Sequence, residues 1–180
     1  MILSLALCLG VMAAAAAAQP TGSSGNSGDL DMMKMVEVNE TLVVYKRKHS
    51  QNTTYRCLSA KKKQRDSETK YQYILRARQG GEYGAHIVNV TLEKHSGGRV
   101  NTSTYTDQGI IYNLTLKEMD PQGPCFVIFV DKSNGEKGCE LLVTASNVNT
   151  TIPKRCQRYY SKTCKGDNIR LHNPDCTYNQ

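Results

Sequence analysis

Several features found in many proteins are missing from this sequence. It contains no tryptophan and only two phenylalanines, so ten tyrosines supply most of its aromatic side chains. It has no G-x-S-x-G, H-E-x-x-H, phosphate-binding loop or dinucleotide-binding fingerprint. The four histidines are scattered along the chain at His49, His86, His95 and His172. The sequence therefore predicts neither an enzyme nor a bound cofactor.

Hydrophobic runs long enough to span a membrane are also absent after residue 18. The first 18 residues contain a short apolar run, Ile2–Met12, followed by the six alanines Ala13–Ala18. A short apolar run that ends in small residues is typical of a cleaved signal peptide. We therefore predict a signal peptide over residues 1–18, a flexible Gly/Ser-rich segment over 19–28 and a single domain over 29–180. The mature protein is expected to be secreted and extracellular, with no membrane span.

The cysteines favour disulfides over a metal site. Six remain after the leader, which is an even number in an oxidising compartment, and this predicts three disulfides. No two of them form a C-x-x-C pair, so no zinc or other metal site is predicted. Five lie in the last third of the chain and Cys57 lies far upstream. The end of the chain is therefore expected to be tied back to an early element.

Six N-x-S/T sequences predict N-linked glycosylation of a secreted protein. Each glycosylated asparagine must face the solvent. The predicted sites are Asn39, Asn52, Asn89, Asn101, Asn113 and Asn149.

The residues after the leader predict a mainly β fold. Asp29–Val38 is predicted as a short helix, and a second helix is predicted after Pro153. Between them, alternating apolar and polar residues separated by turn sequences predict eight strands, which is typical of an up-and-down antiparallel barrel or a sandwich. The predicted strands are Leu42–Lys46, Thr53–Ala60, Lys70–Ala77, Ala85–Leu92, Val100–Thr106, Ile110–Leu116, Cys125–Val130 and Glu140–Thr144.

The glycosylation sequences also indicate which side chains face inward, because side chains alternate across a sheet. If Asn89 and Asn113 face outward, their alternate neighbours face the interior. If Cys139 is tied to an external helix, Glu140 faces inward. His86 and Glu140 are then the polar exceptions in an apolar interior, and they either pair with each other or hold a polar group of a ligand. The candidate ligand-binding residues from the strand pattern are Tyr73, His86, Val88, Tyr112, Leu114, Phe126, Ile128 and Glu140.

The chain is basic, with a formal net charge of +7. Two local runs of positive charge occur at Lys46–His49 and Lys61–Arg65. Such runs can bind heparan-like polymers or anionic lipid headgroups. We interpret them instead as solvated loops, and we predict no nucleic-acid partner for a secreted glycoprotein.

The last third of the chain carries a specific resemblance. C-F-V-I-F-V from Cys125, G-C-E-L-L-V from Gly138 and P-x-x-C-x-x-x-Y from Pro153 resemble the tick salivary lipocalins of the histamine-binding type. The resemblance implies an eight-stranded antiparallel lipocalin barrel with a short N-terminal helix and a C-terminal helix packed on the outside. It also implies the disulfides Cys57–Cys176 and Cys125–Cys156. Cys139 and Cys164 remain and would form a third bridge, which only some members contain.

The resemblance also implies a ligand class, because these proteins sequester small host mediators such as amines or lipids. Tyr45 resembles a pocket tyrosine of the family and Glu140 a pocket acid. Where the family pattern has a further acid, a tryptophan and a fourth-strand acid, this chain has Lys48, Gln51 and His86. A cationic amine needs carboxylates to offset its desolvation, so these replacements favour a hydrophobic ligand, as in the japanin-like branch.

The sequence therefore predicts a secreted monomer that suppresses host defence by sequestering a small host molecule. A sterol, fatty acid or eicosanoid is favoured over a cationic amine. One alternative is a histamine- or serotonin-binding protein. Another is an immunomodulatory module whose outer surface binds a host immune protein or cell.

Overall fold

A computed structural model describes residues 30–94 and 99–178 of the chain. The predicted signal peptide and the Gly/Ser-rich segment lie outside the described residues. The helices are α1 (Met32–Val36) and α2 (Lys154–Thr163), a 3-10 turn covers Ala145–Asn147, and the strands are β1 (Leu42–His49), β2 (Arg56–Arg65), β3 (Lys70–Gln79), β4 (Glu82–Lys94), β5 (Val100–Asp107), β6 (Ile110–Met119), β7 (Cys125–Lys132), β8 (Lys137–Thr144) and β9 (Ile169–Arg170).

The first eight strands form a closed antiparallel barrel. Consecutive strands pair from β2 to β8, and β1 pairs with both β8 and β2. The contact that closes the barrel is short, with Leu42 opposite Ala60 and Val43 opposite Ser59. The predicted eight-stranded barrel, with a short N-terminal helix and a C-terminal helix, is confirmed. The short strand β9, which pairs with β1, was not predicted.

The prediction that residues after Ala60 form a loop is wrong, because β2 continues to Arg65. Arg65 pairs with Tyr71, and the turn lies between these two residues. Lys61, Lys63 and Arg65 are exposed. Charged side chains can occupy positions within a strand when they reach water, so the lysine-rich run did not mark the end of β2.

Alternation along the strands separates two hydrophobic clusters, one on each side of the barrel wall. The inner cluster fills the barrel at the end covered by α1, whereas the outer cluster lies between the wall, α2 and the C-terminal segment. The inner cluster consists of Met32, Met35, Val36, Leu42, Tyr71, Tyr73, Val88, Val90, Leu92, Val100, Leu116, Met119, Phe126, Ile128, Val130 and Leu142. The outer cluster consists of Val43, Cys57, Cys125, Val127, Cys139, Leu141, Val143, Val148, Cys156, Tyr160, Cys164 and Tyr178.

Three disulfides join the outer cluster. Cys125–Cys156 and Cys139–Cys164 tie β7 and β8 to α2 and to the residue that follows it. Cys57–Cys176 ties the C-terminal segment to β2. These pairings are the ones expected from the resemblance. The chain end is therefore fixed to the outside of the wall, and the inside of the barrel contains no disulfide among the described residues.

An irregularity in β1 changes which of its residues face inward. Val44 pairs with Leu142, but Lys46 pairs with Leu141, so Tyr45 is an extra residue in the ladder. Such a bulge bends the strand and turns the following side chains over. Further along, Gly138 pairs with His49, and a side chain at Gly138 would overlap the backbone of Lys48. Glycine is needed there because the two strands approach so closely.

The predicted glycosylation sites lie mostly on the surface. Asn39, Asn52, Asn89, Asn113 and Asn149 are exposed, whereas Asn101 is half-buried. The exposed asparagines on β4 and β6 agree with the side-chain alternation deduced from the sequence. Glycan occupancy stays a prediction.

Candidate ligand-binding cavity

The barrel encloses a cavity of about 840 Å³. Met35 and Val36 of α1 contribute to its lower end. At the other end it is lined by residues at the connections that follow β1, β3, β5 and β7, including Tyr55, Gln108 and Asn134. The N-terminus of α1 is capped by Asp31, whose carboxylate accepts a hydrogen bond from the Met33 amide at 2.9 Å. The helix thus covers one end of the barrel and leaves the other as the entrance.

The lower part of the cavity is apolar. The side chains that line it come from alternate positions of six strands and from α1, so this apolar surface results from the alternation of side chains along the strands. They are Met35, Val36, Leu42, Val44, Leu75, Val88, Val90, Leu92, Leu114, Ile128 and Leu142. Tyr73 lies among them, and burial raises the pKa of its hydroxyl well above the ordinary value, so it stays neutral.

A ring of polar and charged side chains crosses the upper part of the barrel. We call it the polar belt. It runs from β5 through β6 and β7 to the β7–β8 turn and then to β8 and β1. Its members are Arg47, His49, Tyr105, Asp107, Tyr112, Lys132, Glu136 and Glu140. All except His49 line the cavity.

Glu136 is the centre of the belt's ion pairs. Its carboxylate lies 2.6 Å from Lys132 Nζ, 3.3 Å from the Arg47 guanidinium and 3.1 Å from His49 Nδ1. Burial alone would raise the pKa of Glu136. The hydrogen bonds from Lys132 and His49, together with the charges of Lys132 and Arg47, hold that pKa below its usual value. Glu136 therefore stays ionised and is neutralised by the protein itself.

Glu140 is less completely neutralised than Glu136. Oε1 of Glu140 lies 3.3 Å from His49 Nε2, but this nitrogen has no hydrogen-bond partner among the described residues. The Arg47 Nε–H likewise lacks an acceptor there. The belt thus contains a carboxylate, a buried imidazole nitrogen and a buried N–H whose hydrogen-bonding capacity is not fully used. A bound polar group could satisfy part of it.

Two tyrosines face each other on the neighbouring wall. Tyr105 and Tyr112 are directly paired across β5 and β6, and their rings stack with centroids 4.6 Å apart. Burial, reinforced by the negative charge of Glu140, raises the pKa of Tyr105 well above its ordinary value. Burial and the charges of Asp107, Glu136 and Glu140 raise the pKa of Tyr112. Both hydroxyls therefore stay protonated and can donate hydrogen bonds.

His86 and Glu140 do not pair with each other, so that interpretation of the sequence is wrong. His86 Nε2 lies 2.9 Å from Asp107 Oδ1, while Glu140 faces His49. The His86 side chain is 47% exposed, which places it near the entrance rather than deep in the barrel.

The structure places seven of the nine predicted ligand-binding residues on the cavity surface and two elsewhere. Tyr45 follows the inward-facing Val44 and therefore faces outward, where its ring stacks on the His172 ring with centroids 5.4 Å apart. Phe126 is fully buried in the inner cluster and does not line the cavity. The seven that line the cavity are Tyr73, His86, Val88, Tyr112, Leu114, Ile128 and Glu140.

Lys48 does not oppose Glu140 inside the barrel. It points outward, and its ammonium group donates to the carbonyl oxygens of Tyr160 and Cys164 at the end of α2, at 3.4 and 3.0 Å. The inward positions of this strand are occupied by Arg47 and His49. The bulge explains the difference, because it shifts the alternation after Tyr45 by one residue.

Sequence reasoning missed most of the polar belt, including Arg47, His49, Asp107, Lys132 and Glu136. The first two were interpreted as part of a solvated basic run. The other three lie beside turns, where polar residues are expected in any case. Only the alternation of Arg47 and His49 with two lysines carried a pattern that could have identified them.

The described parts of the chain contain neither a metal-binding cluster nor a membrane-spanning helix. Residues 30–94 and 99–178 contain no group of His, Cys, Asp or Glu side chains arranged to hold a metal ion. No helix among these residues is both long and apolar enough to cross a bilayer.

The closed antiparallel barrel, its internal cavity and the helix on its outer wall define a small-ligand-binding lipocalin. The family model described as tick histamine binding protein matches residues 25–178 of the chain. The protein therefore belongs to the tick histamine-binding protein family. No curated protein matches the chain. The family and the three disulfides are consistent with secretion.

Proposed function

We propose that this lipocalin is a secreted, non-enzymatic binding protein that sequesters a small amphipathic, mainly hydrophobic molecule of host origin and thereby suppresses host defence. One observation carries the proposal: a cavity of about 840 Å³ whose lower part is apolar and whose upper part carries the polar belt. A cavity of this size lies within the range of about 300–1,000 Å³ that is usual for small-molecule sites.

The apolar lower part favours a ligand with a substantial hydrocarbon portion. Each square ångström of apolar surface removed from water contributes roughly 25 cal/mol. A small polar amine would leave most of the apolar lining of the lower cavity in contact with water. A sterol, fatty acid or eicosanoid would cover it. The japanin-like branch, whose members carry a lipid, accords with this proposal, and assignment to that branch stays a prediction.

The polar belt supports a ligand with one polar end near the entrance. Arg47 and Lys132 are shared with Glu136, so a ligand carboxylate would compete with that residue for them. A hydroxyl could accept from Tyr105 or Tyr112 and donate to Glu140 without disrupting an existing ion pair. This arrangement favours a hydroxyl-bearing ligand, with Glu140 as the acceptor.

A second candidate function is the binding of a cationic amine. Asp107 and Glu140 both line the cavity, close to the stacked rings of Tyr105 and Tyr112. Carboxylates beside aromatic faces are suited to cations. The cavity lining therefore contains two belt acids that the sequence did not lead us to expect, Asp107 and Glu136, although Arg47 and Lys132 line the same cavity and oppose a further positive charge.

Titration calorimetry on the delipidated, secreted protein separates these candidates. We expect a hydroxylated lipid to bind and histamine and serotonin to bind weakly or not at all. Glu140→Gln should change the preference among lipids while leaving the fold intact. Tight binding of histamine that is lost in Glu140→Gln would reject the hydrophobic-ligand proposal and establish the amine candidate.

A protein-binding role of the outer surface remains the alternative from a different functional class. It would require affinity for a host immune protein or cell surface that does not depend on the cavity. A cavity variant that keeps host-cell activity without ligand would favour it.

A further inference from the structure

The outward face of α2 carries a row of positive charges that the ligand-binding barrel does not use. Lys154, Arg158 and Lys162 are four residues apart, so they follow one side of the helix with a rise of about 6 Å from one to the next. All three are exposed, and exposed Lys165 follows them just beyond the helix. With Arg155, five cations and no acid lie between residues 153 and 165.

This row is unfavourable for the helix itself. Like charges four residues apart destabilise a helix by about 0.2–0.5 kcal/mol per pair, and the row contains two such pairs. Positive charge in the first turn also opposes the helix dipole, and Lys154 and Arg155 lie there. Conflicts between local preference and fold are expected at functional sites.

The row has no acidic partner in the described part of the chain. Arg155 is paired, with its Nε 2.7 Å from Glu118 Oε1. The ion pairs of residues 30–94 and 99–178 include none with Lys154, Arg158 or Lys162. These three cations are therefore available to an external anion.

The helix also presents the row on a fixed support. Cys156 is bonded to β7, and Cys164, the residue after the helix, is bonded to β8. Tyr160 is buried beneath the helix. Because the backbone is held at both ends of the row, binding to it would not require ordering of the segment.

The rest of the exposed face distinguishes between two kinds of polyanion. The other exposed residues between Lys154 and Lys165 are Gln157, Ser161 and Thr163, which are all polar. A helix that lies on a membrane needs apolar side chains such as Trp, Phe or Leu to insert, and this face exposes none. We propose that the outward face of α2 docks a sulfated polysaccharide, independently of the ligand in the barrel.

The test compares two triple variants of the secreted protein with any glycans in place. The first carries Lys154→Ala, Arg158→Ala and Lys162→Ala. The matched control carries Lys61→Ala, Lys63→Ala and Arg65→Ala on β2, which removes the same charge from another exposed part of the surface. Binding to immobilised heparin and heparan sulfate is measured at about 0.15 M salt, where surface charges are screened over about 8 Å.

We expect the wild type and the β2 variant to bind heparin alike. The α2 variant should bind about tenfold or more weakly, with a shallower salt dependence, because three contacts to the polyanion are lost. The exchange variant Lys154→Arg, Arg158→Lys and Lys162→Arg should retain binding, which would show that the charges matter rather than the helix sequence.

Three results would overturn the proposal. The first is a wild type that fails to bind heparin at this salt concentration. The second is an equal loss of affinity in both triple variants, which would indicate net charge alone. The third is tighter binding of the α2 cations to vesicles containing phosphatidylserine than to heparin, which would assign the face to a membrane.

Discussion

The two sides of the barrel wall are built from the same strands but differ in how they are filled. On β8, Leu141 and Leu142 are neighbours that point in opposite directions, the first into the outer cluster and the second into the inner cluster. The outer side is covered by α2 and the C-terminal segment and is joined by three disulfides. The inner side contains a cavity of about 840 Å³ whose upper part is lined by the charges of the polar belt.

Because of this difference, the outer side of the wall stabilises the fold, whereas the inner side provides the ligand-binding surface. An open cavity removes packing contacts and therefore costs stability, and buried charges add a desolvation penalty. The disulfides and the filled outer cluster offset those costs on the opposite side of the same strands. The interior is thereby free to vary with the ligand, while the outer side keeps the barrel closed.

The largest expected effect comes from shortening the outward leucine. Leu141→Ala should reduce the free energy of unfolding by about 3–5 kcal/mol, because Leu141 is fully buried and its loss leaves an enclosed void. Leu142→Ala should cost less, because the side chain already borders the cavity. Denaturant unfolding of both variants measures the difference. Equal losses would contradict the contrast between the two sides.

The next effect separates the two acids of the last hairpin. Glu136→Gln should reduce stability by about 3 kcal/mol, since it leaves the buried Arg47 and the mostly buried Lys132 without their carboxylate. Glu140→Gln should reduce stability by less than about 1 kcal/mol and alter ligand preference instead. Unfolding and ligand titration of the same two proteins test this. Glu136→Gln with wild-type stability would mean that the ion pairs are not structural.

Acid should weaken the two sides in different pH ranges. Burial and the neighbouring Arg170 lower the pKa of His172, despite the opposite influence of Asp175. A depressed pKa means that the folded state binds fewer protons, so this contribution to stability is present above about pH 6.5 and is lost as the pH falls below it. The pKa of Glu136 is also lowered in the folded state. Its contribution to stability is therefore lost only when the pH falls below the pKa of glutamate in the unfolded chain, about 4.3.

Unfolding experiments between pH 8 and pH 3 check these ranges. His172→Gln should remove the His172 share of the loss that begins near pH 6.5, while the loss below about pH 4.3 remains. Unchanged pH dependence in this variant would show that His172 does not contribute to acid sensitivity.

The smallest expected effect belongs to the entrance. His86→Leu should change stability by less than about 0.5 kcal/mol, because the side chain is half-exposed and its ion pair with Asp107 lies near the surface. The substitution should weaken the binding of ligands whose polar group reaches the entrance. Comparison of the lipids that co-purify with the wild type and the variant measures this. Identical lipid profiles would remove His86 from the binding site.

The barrel itself could be predicted from the sequence because alternation is a local property. Asn89 and Asn113 indicated which side chains of β4 and β6 face inward, and the structure places Val88 and Leu114 on the cavity surface accordingly. The hairpin from Cys125 was recognised from its apolar runs and its Asn134-Gly135 turn.

The polar belt could not be predicted in the same way. A bulge depends on the pairing of β1 with β8, and nothing in the local sequence around Tyr45 specifies it. Asp107 and Glu136 come from two different turns and meet only after the barrel closes. The pairing of Glu140 with His86, one of the two interpretations that the sequence left open, is therefore wrong, although both side chains lie on the cavity surface.

Native mass spectrometry of the secreted protein tests the central claim most directly. We expect the wild type to carry a small lipid that is absent from a variant with Leu75→Trp and Leu114→Trp, which point into the cavity. The matched control, Ile87→Trp with Ile111→Trp on the exposed outer face, should retain the lipid. A wild type that carries no ligand and takes up no hydrophobic molecule, or inward and outward variants that retain the same lipid, would contradict ligand binding in the barrel.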